Sequence, residues 1–187
     1  MFLRRRWSNY SIEEIHTLSP ADLTDEMDEL WSKIQKKYPF RLLSYRDREA
    51  LAWQFSNDST ETQEPVFITL RKEGMLTGYV IMTRADSPKY DLKRMKITDL
   101  ISYDDDPEVI RSLIKEAFVY SKQNKIAILQ MVGFPSTVRS ALKPLHPFIH
   151  ALSYYPFWYY AVNPDLKDEL QIESIWYAST FDGDSTF

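Results

Sequence analysis

The chain contains no cysteine among its 187 residues, which excludes disulfides, thiol nucleophiles and cysteine-ligated metals and is compatible with a reducing compartment. Glycine is almost as scarce, with four in all, and no Gly-x-Ser-x-Gly or Ser-His-Asp arrangement offers an activated serine. There are three histidines. Two of them, His146 and His150, stand four apart, but Pro147 between them opposes a helix that would bring both to one metal. Asp182-Gly183-Asp184 has part of the pattern of a calcium loop without its closing Glu, and reads as a C-terminal turn. No metal is expected. No apolar run reaches bilayer length and no signal-peptide core follows Arg4-Arg5-Arg6, so the expectation is a soluble, cytoplasmic protein with no membrane span. The net charge of −4 comes with no basic run beyond Arg4-Arg5-Arg6, which reads as a solvated terminal run, so nucleic acid is not an expected partner.

What remains is an ordinary globular composition, 44% hydrophobic and 27% charged, with 14% aromatics that must line a core, a pocket or a partner surface. Residues 1–18 read as an N-terminal tail or linker, and residues 19–187 as one domain. Its organising stretch runs from Met95 to Val132. Met95, Ile97, Asp99 and Ile101 alternate with Lys96, Thr98 and Leu100 at the two-residue period of a strand. Asp106-Pro107 pairs an N-cap residue with the residue best suited to the first helical position. Ile110, Leu113, Ile114, Ala117, Phe118 and Ser121 then form an apolar stripe. Ile126 to Val132, nearly all apolar, reads as a strand buried on both faces, which makes the unit a parallel βαβ crossover.

The flanks supply the rest. Leu23, Met27, Leu30, Trp31, Ile34 and Tyr38 mark a first helix ended by Pro39, and Ser44-x-x-Asp47 opens a second through Leu51, Trp53 and Phe55. Val66 to Arg71 and Met75 to Arg84 form an antiparallel hairpin across Lys72-Glu73-Gly74, with Gly78 marking a bulge or a close backbone approach. A short helix follows Ser136. Phe157 to Val162 and Ile172 to Ser179 read as a closing antiparallel pair.

This order resembles the GNAT superfamily of acyl-CoA-dependent N-acyltransferases, and a string of short motifs resembles, within it, the C-terminal half of bacterial acyltransferase-like proteins built from two such halves. The string is Asp25-x-x-Asp28-x-Leu30-Trp31, Arg46-Asp47-x-x-x-Leu51-x-Trp53-x-Phe55, Gly78-Tyr79, Ile97-x-Asp99-Leu100, and Trp176 with Asp182-Gly183-Asp184. It spans about Asp22 to Asp184, with one departure, Gln54 where Arg is expected. The resemblance implies an α/β fold with a mixed sheet, an antiparallel hairpin plus one parallel step and two N-terminal helices. It also implies an acyl-CoA (acetyl-CoA) site where the two parallel strands splay, at Leu100, Ile101, Gln130, Met131 and Val132, and a small-molecule amine as acceptor. Asp99 is the candidate base there, with Tyr159 or Tyr160 as candidate acids.

Two features weigh on that implication. The superfamily's phosphate loop is a Gln or Arg followed by closely spaced glycines, whereas Ser102-Tyr103-Asp104-Asp105-Asp106-Pro107 has neither, and reads as a helix cap with a solvated acidic turn. The aromatic run Tyr154, Tyr155, Phe157, Trp158, Tyr159, Tyr160 would line a pocket or, through its alternation, form an interface with a second half or a homodimer partner. An acyl-CoA-dependent N-acyltransferase and a catalytically silent packing or recognition module therefore both stand.

Overall fold

The computed structural model describes residues 14–56, 64–150 and 160–182. Its centre is a five-stranded sheet in the order β1-β2-β3-β4-β5, formed by Glu14–Leu18 (β1), Val66–Lys72 (β2), Met75–Arg84 (β3), Arg94–Ser102 (β4) and Ile128–Met131 (β5). The first four strands pair antiparallel and β4 pairs with β5 in parallel. This is the expected mixed sheet. The helices are Glu26–Lys37 (α1), Arg48–Ser56 (α2), Pro107–Gln123 (α3), Ser136–Leu142 (α4) and Lys167–Leu170 (α5).

Local chemistry explains most of these boundaries. In the hairpin, Lys72 pairs with Met75, and Glu73 and Gly74 both take positive φ, 52° and 73°, the turn whose twist matches that of two antiparallel strands. Gly78 combines both expected features. The β2–β3 register slips beside it, skipping Thr77, and a Cβ at Gly78 would lie 2.7 Å from the Ile101 carbonyl oxygen and 2.9 Å from Val109 Cγ1. Only glycine lets α3 and β4 come this close. At the start of α3, Asp106 Oδ1 accepts from the Glu108 amide at 2.8 Å and Pro107 occupies the first position. Val109, Ile110, Leu113, Ala117 and Ser121 are its buried stripe. Met27, Leu30, Trp31 and Ile34 do the same for α1, each buried aliphatic contributing on the order of 1.5 to 3 kcal/mol.

Five expectations are corrected. The sheet begins at Glu14, inside the segment read as a tail, because Ile15 to Leu18 extend β2 outward by a full antiparallel ladder. The cap of α2 is Asp47, whose Oδ1 accepts from the Ala50 amide at 2.8 Å, while Ser44 serves the C-terminal segment. The strand after α3 is not buried on both faces. Among the described residues it is the sheet's edge, it stops at Met131, and its first residue Ile128 is 42% exposed. The closing antiparallel pair is absent among the described residues. Residues 160–162 form no strand, and Glu173–Ile175 is a 3-10 turn followed by a single parallel bridge from Trp176 to Leu42; Phe157 to Tyr159 lie outside the described residues. The last correction concerns β4 itself. Ile81 pairs with Asp99 but Met82 pairs with Ile97, so Thr98 is an extra residue in a bulge, and Asp99 no longer shares a face with Met95 and Ile97.

Candidate functional site: the free end of β4

The bulge decides where Asp99 goes. Paired residues of a ladder share a face, so Asp99 and Ile101 join Ile81 and Tyr79 opposite α3. There the loop between α1 and α2 brings in Arg46, and four donors converge on the Asp99 carboxylate. Arg46 Nε donates to Oδ2 at 2.8 Å and Nη2 to Oδ1 at 3.3 Å, the Tyr79 hydroxyl donates to Oδ2 at 3.1 Å, and the Ser179 hydroxyl to Oδ1 at 2.8 Å. Arg46 also donates to Asp182 Oδ2 at 2.7 Å and to the Ser44 carbonyl at 2.7 Å. Asp182 is fixed in turn by the amides of Ser44 and Ser179. Arg46 is 1% exposed and Asp99 0%, so this pair is sealed from solvent, with Asp182 and Ser179 at its partly buried rim.

Its electrostatics follow from that sealing. Burial pushes the Arg46 pKa down, but Asp99 and Asp182 outweigh it and hold the guanidinium above its ordinary value. Burial raises the Asp182 pKa, and Arg46 with the Ser179 and Ser44 amides overcomes that and lowers it. Tyr79 and Tyr177 are raised, first by burial and then by the nearby Asp99 charge. One buried cation thus lies between two carboxylates, an arrangement that binds three chain segments together.

Along the same strand end, β4 parts from β5. The parallel pairing runs from Arg94 opposite Ile128 to Ile97 opposite Met131 and stops, while β4 continues to Ser102. Three carbonyls at this end of β4, those of Ile97, Thr98 and Leu100, accept from the chain's own C-terminal segment. Thr180 Oγ1 donates to the Thr98 oxygen at 2.9 Å and the Ile97 oxygen at 3.3 Å, and the Tyr177 hydroxyl donates to the Leu100 oxygen at 2.7 Å. Tyr177, Thr180 and Phe181 are buried in making these contacts.

The acidic loop at the end of β4 is not a solvated turn. Lys37 pairs with Asp104, Arg41 forms a two-pronged pair with Asp105 at 3.0 and 2.6 Å, and Lys72 Nζ meets Asp106 at 2.8 Å. Arg41 also lies 3.6 Å above the Tyr38 ring. Asp104 and Asp105 adopt positive φ, 66° and 50°, without glycine's freedom. The diphosphate of CoA does not fit this corner. The Glu108 amide that would receive it already donates to Asp106, and the neighbouring cations already hold carboxylates.

The other expected positions fall as follows. Leu100 and Ile101 are buried on β4, Gln130 and Met131 are half-buried on β5, and Val132 lies past its end. Tyr160 is 87% exposed, and Tyr159 with most of the aromatic run is outside the described residues. His146 has φ 50° after a 3-10 turn. Among the described residues no group of three or more His, Cys, Asp or Glu is placed to hold a metal, and no helix is long and apolar enough to cross a membrane. The reading of residues one at a time missed Arg46, Tyr177, Ser179 and Thr180 as partners of β4. Arg46 and Asp182 did stand in the motif string, as unassigned members.

No family model and no curated protein matches the sequence. Solved structures do match in three dimensions. The chain superposes on a ribosomal-protein-alanine N-acetyltransferase from Brucella melitensis biovar Abortus 2308 with a TM-score of 0.54 at 15% identity, over 78% of this chain and 99% of that one. The fold is that of the GNAT acetyltransferases. An aminoglycoside acetyltransferase from an uncultured soil metagenomic sample, in complex with sisomicin, gives 0.55 at 14% identity over 78% and 96% of the two chains. A predicted acetyltransferase from Clostridium acetobutylicum, with acetyl-CoA, gives 0.55 at 12% over 77% and 94%. At these identities the GNAT likeness is one of fold.

Proposed function

We propose that the chain is an N-acyltransferase-like domain that is catalytically silent on its own and serves as a cytoplasmic packing or recognition module for a second acyltransferase-like half or a second copy of itself. One observation carries the reading. The backbone acceptors of Ile97, Thr98 and Leu100, at the free end of β4 where a thioester arm would pair, are taken by the hydroxyls of Thr180 and Tyr177. Asp99, saturated by Arg46, Tyr79 and Ser179, acts in this reading as an anchor of the fold. Large side chains left in solvent, among them Phe40, Trp53 and Tyr160, supply candidate contact area for the partner.

Calorimetry with acetyl-CoA and longer acyl-CoAs tests it. No saturable heat and no thermal shift at millimolar ligand is the expected result, and binding would overturn the reading. A second reading is favoured by the divergence of β4 from β5 after Ile97 and Met131, within a fold shared with an acetyltransferase that carries acetyl-CoA. It is an acyl-CoA-dependent N-acyltransferase acting on a small-molecule amine, with Leu100, Ile101, Gln130, Met131 and Val132 along the donor and Asp99 with Tyr159 or Tyr160 as the proton-transfer groups. Turnover of any amine by the isolated chain would establish it over the first.

A further inference from the structure

The N-terminus of α3 is the place in this fold where backbone amides and the helix dipole face the end of β4, and such an end favours an anion. In this chain an anion is already there. Asp106 Oδ1 accepts from the Glu108 amide at 2.8 Å and Oδ2 from Lys72 Nζ at 2.8 Å. Amide, helix end and lysine are the set of groups that would bind a phosphate, and one side chain satisfies all of them. The two preceding aspartates close the approach, each in a left-handed conformation and each tied to a cation of α1 or of the loop after it.

We infer that Asp106 is an internal substitute for an anionic ligand at the start of α3, and that it bars the diphosphate of nucleotide-bearing acyl donors from this corner. The inference rests on the reading above only in taking the end of β4 and the start of α3 as the donor's place. Burial raises the Asp106 pKa, but Lys72 and the Glu108 amide outweigh it and lower the value, so the carboxylate stays charged at neutral pH. It repels the diphosphate as well as displacing it. A serine at this position keeps an N-cap oxygen while removing the charge and releasing Lys72.

The test uses the whole chain as wild type, Asp106→Ser, Asp106→Asn and the double variant Asp106→Ser/Lys72→Met, with thermal melting to show that each is folded. Asp106→Asn retains the cap acceptor and serves where Asp106→Ser does not fold. Inorganic pyrophosphate is titrated by calorimetry at low ionic strength. Wild type is expected to give no saturable heat at millimolar ligand. The single variants should bind at least about tenfold more tightly than wild type, and Lys72→Met should remove the gain. Equal binding by wild type and the single variants, or no gain in a folded single variant, would overturn the inference. Acetyl-pantetheine and acetyl-CoA separate the two proposals. Binding of acetyl-pantetheine by wild type with no advantage for acetyl-CoA would end the silent reading and support the role of Asp106; tighter binding of acetyl-CoA than of acetyl-pantetheine would overturn that role.

Discussion

Replacing Arg46 by Met keeps most of the side-chain volume and removes the positive charge that lies between Asp99 and Asp182. Three hydrogen-bonding nitrogens disappear at once, from Asp99, Asp182 and the Ser44 carbonyl, and two carboxylates are left facing each other in a sealed pocket. Removing one partner of a buried ion pair costs about 3 to 5 kcal/mol, because the remaining charge keeps its desolvation penalty without compensation. For a chain of this size each kcal/mol lowers the melting temperature by roughly 2 to 4 °C, so the expected fall is roughly 6 to 20 °C. Calorimetric melting at pH 7 measures it directly. Arg46→Lys should lose much of the same stability, since an ammonium keeps the charge but not the fork that reaches both carboxylates and Ser44 together. Acidification should narrow the gap between Arg46→Met and wild type, because protonation removes the repulsion in the variant while weakening the ion pairs of the wild type. A melting temperature within about 2 °C of wild type would refute the claim that this cluster bolts the C-terminal segment to β4.

Asp99→Asn retains the shape but loses the charge-assisted bonds from Arg46, and a loss of about 1.5 to 3 kcal/mol in urea unfolding is expected; unchanged stability with abolished acyl transfer would instead make Asp99 a catalytic base. Gly78→Ala sets a methyl against the Ile101 carbonyl at 2.7 Å, a backbone neighbour that cannot rotate away, and should cost about 1 to 3 kcal/mol; a neutral substitution would contradict the close approach of α3. Stability should form a plateau across neutral pH and fall on both sides. Asp106 and Asp182 are held below the ordinary 3.8, so their contribution is complete above that value and is lost as pH falls through the lower native values; Tyr79 and Tyr177 are raised above 10.0, so theirs is complete below that value and is lost as pH rises, where the unfolded chain releases protons first. Urea midpoints measured from acid to alkali check both limbs, and stability still rising above pH 10 would contradict the second.

The sheet's core was readable because its cues are local. Glu73-Gly74 between two β-rich runs and Asp106-Pro107 before a helical stripe each act within a few residues, and Gly78 inside a strand announces a bulge or a close approach without naming its partners, which lie on β4 and α3. The candidate site was less readable because its geometry depends on one unsignalled residue. Counting by twos from Met95 places Asp99 beside Ile97, and the extra residue at Thr98 reverses that; nothing in the composition of Ile97-Thr98-Asp99 announces a bulge. The ends failed for a related reason. Ile172 to Ser179 has the composition of a strand, but Trp176 finds its backbone partner at Leu42, and Tyr177 and Thr180 use their hydroxyls on β4. Period-based reading assigns such side chains to a ladder. The donors around Asp99 are likewise the side chains of Arg46, Tyr79 and Ser179, from three distant parts of the chain, which no local pattern connects.

In the proposed reading the acyl donor's place is filled from within, by Tyr177 and Thr180 on β4 and by Asp106 on α3. A titration of acetyl-CoA followed residue by residue through backbone amide chemical shifts tests it most directly. The amides of Leu100, Ile101, Glu108 and Val109 should stay unmoved at millimolar acetyl-CoA. Saturable shifts confined to those amides would contradict it.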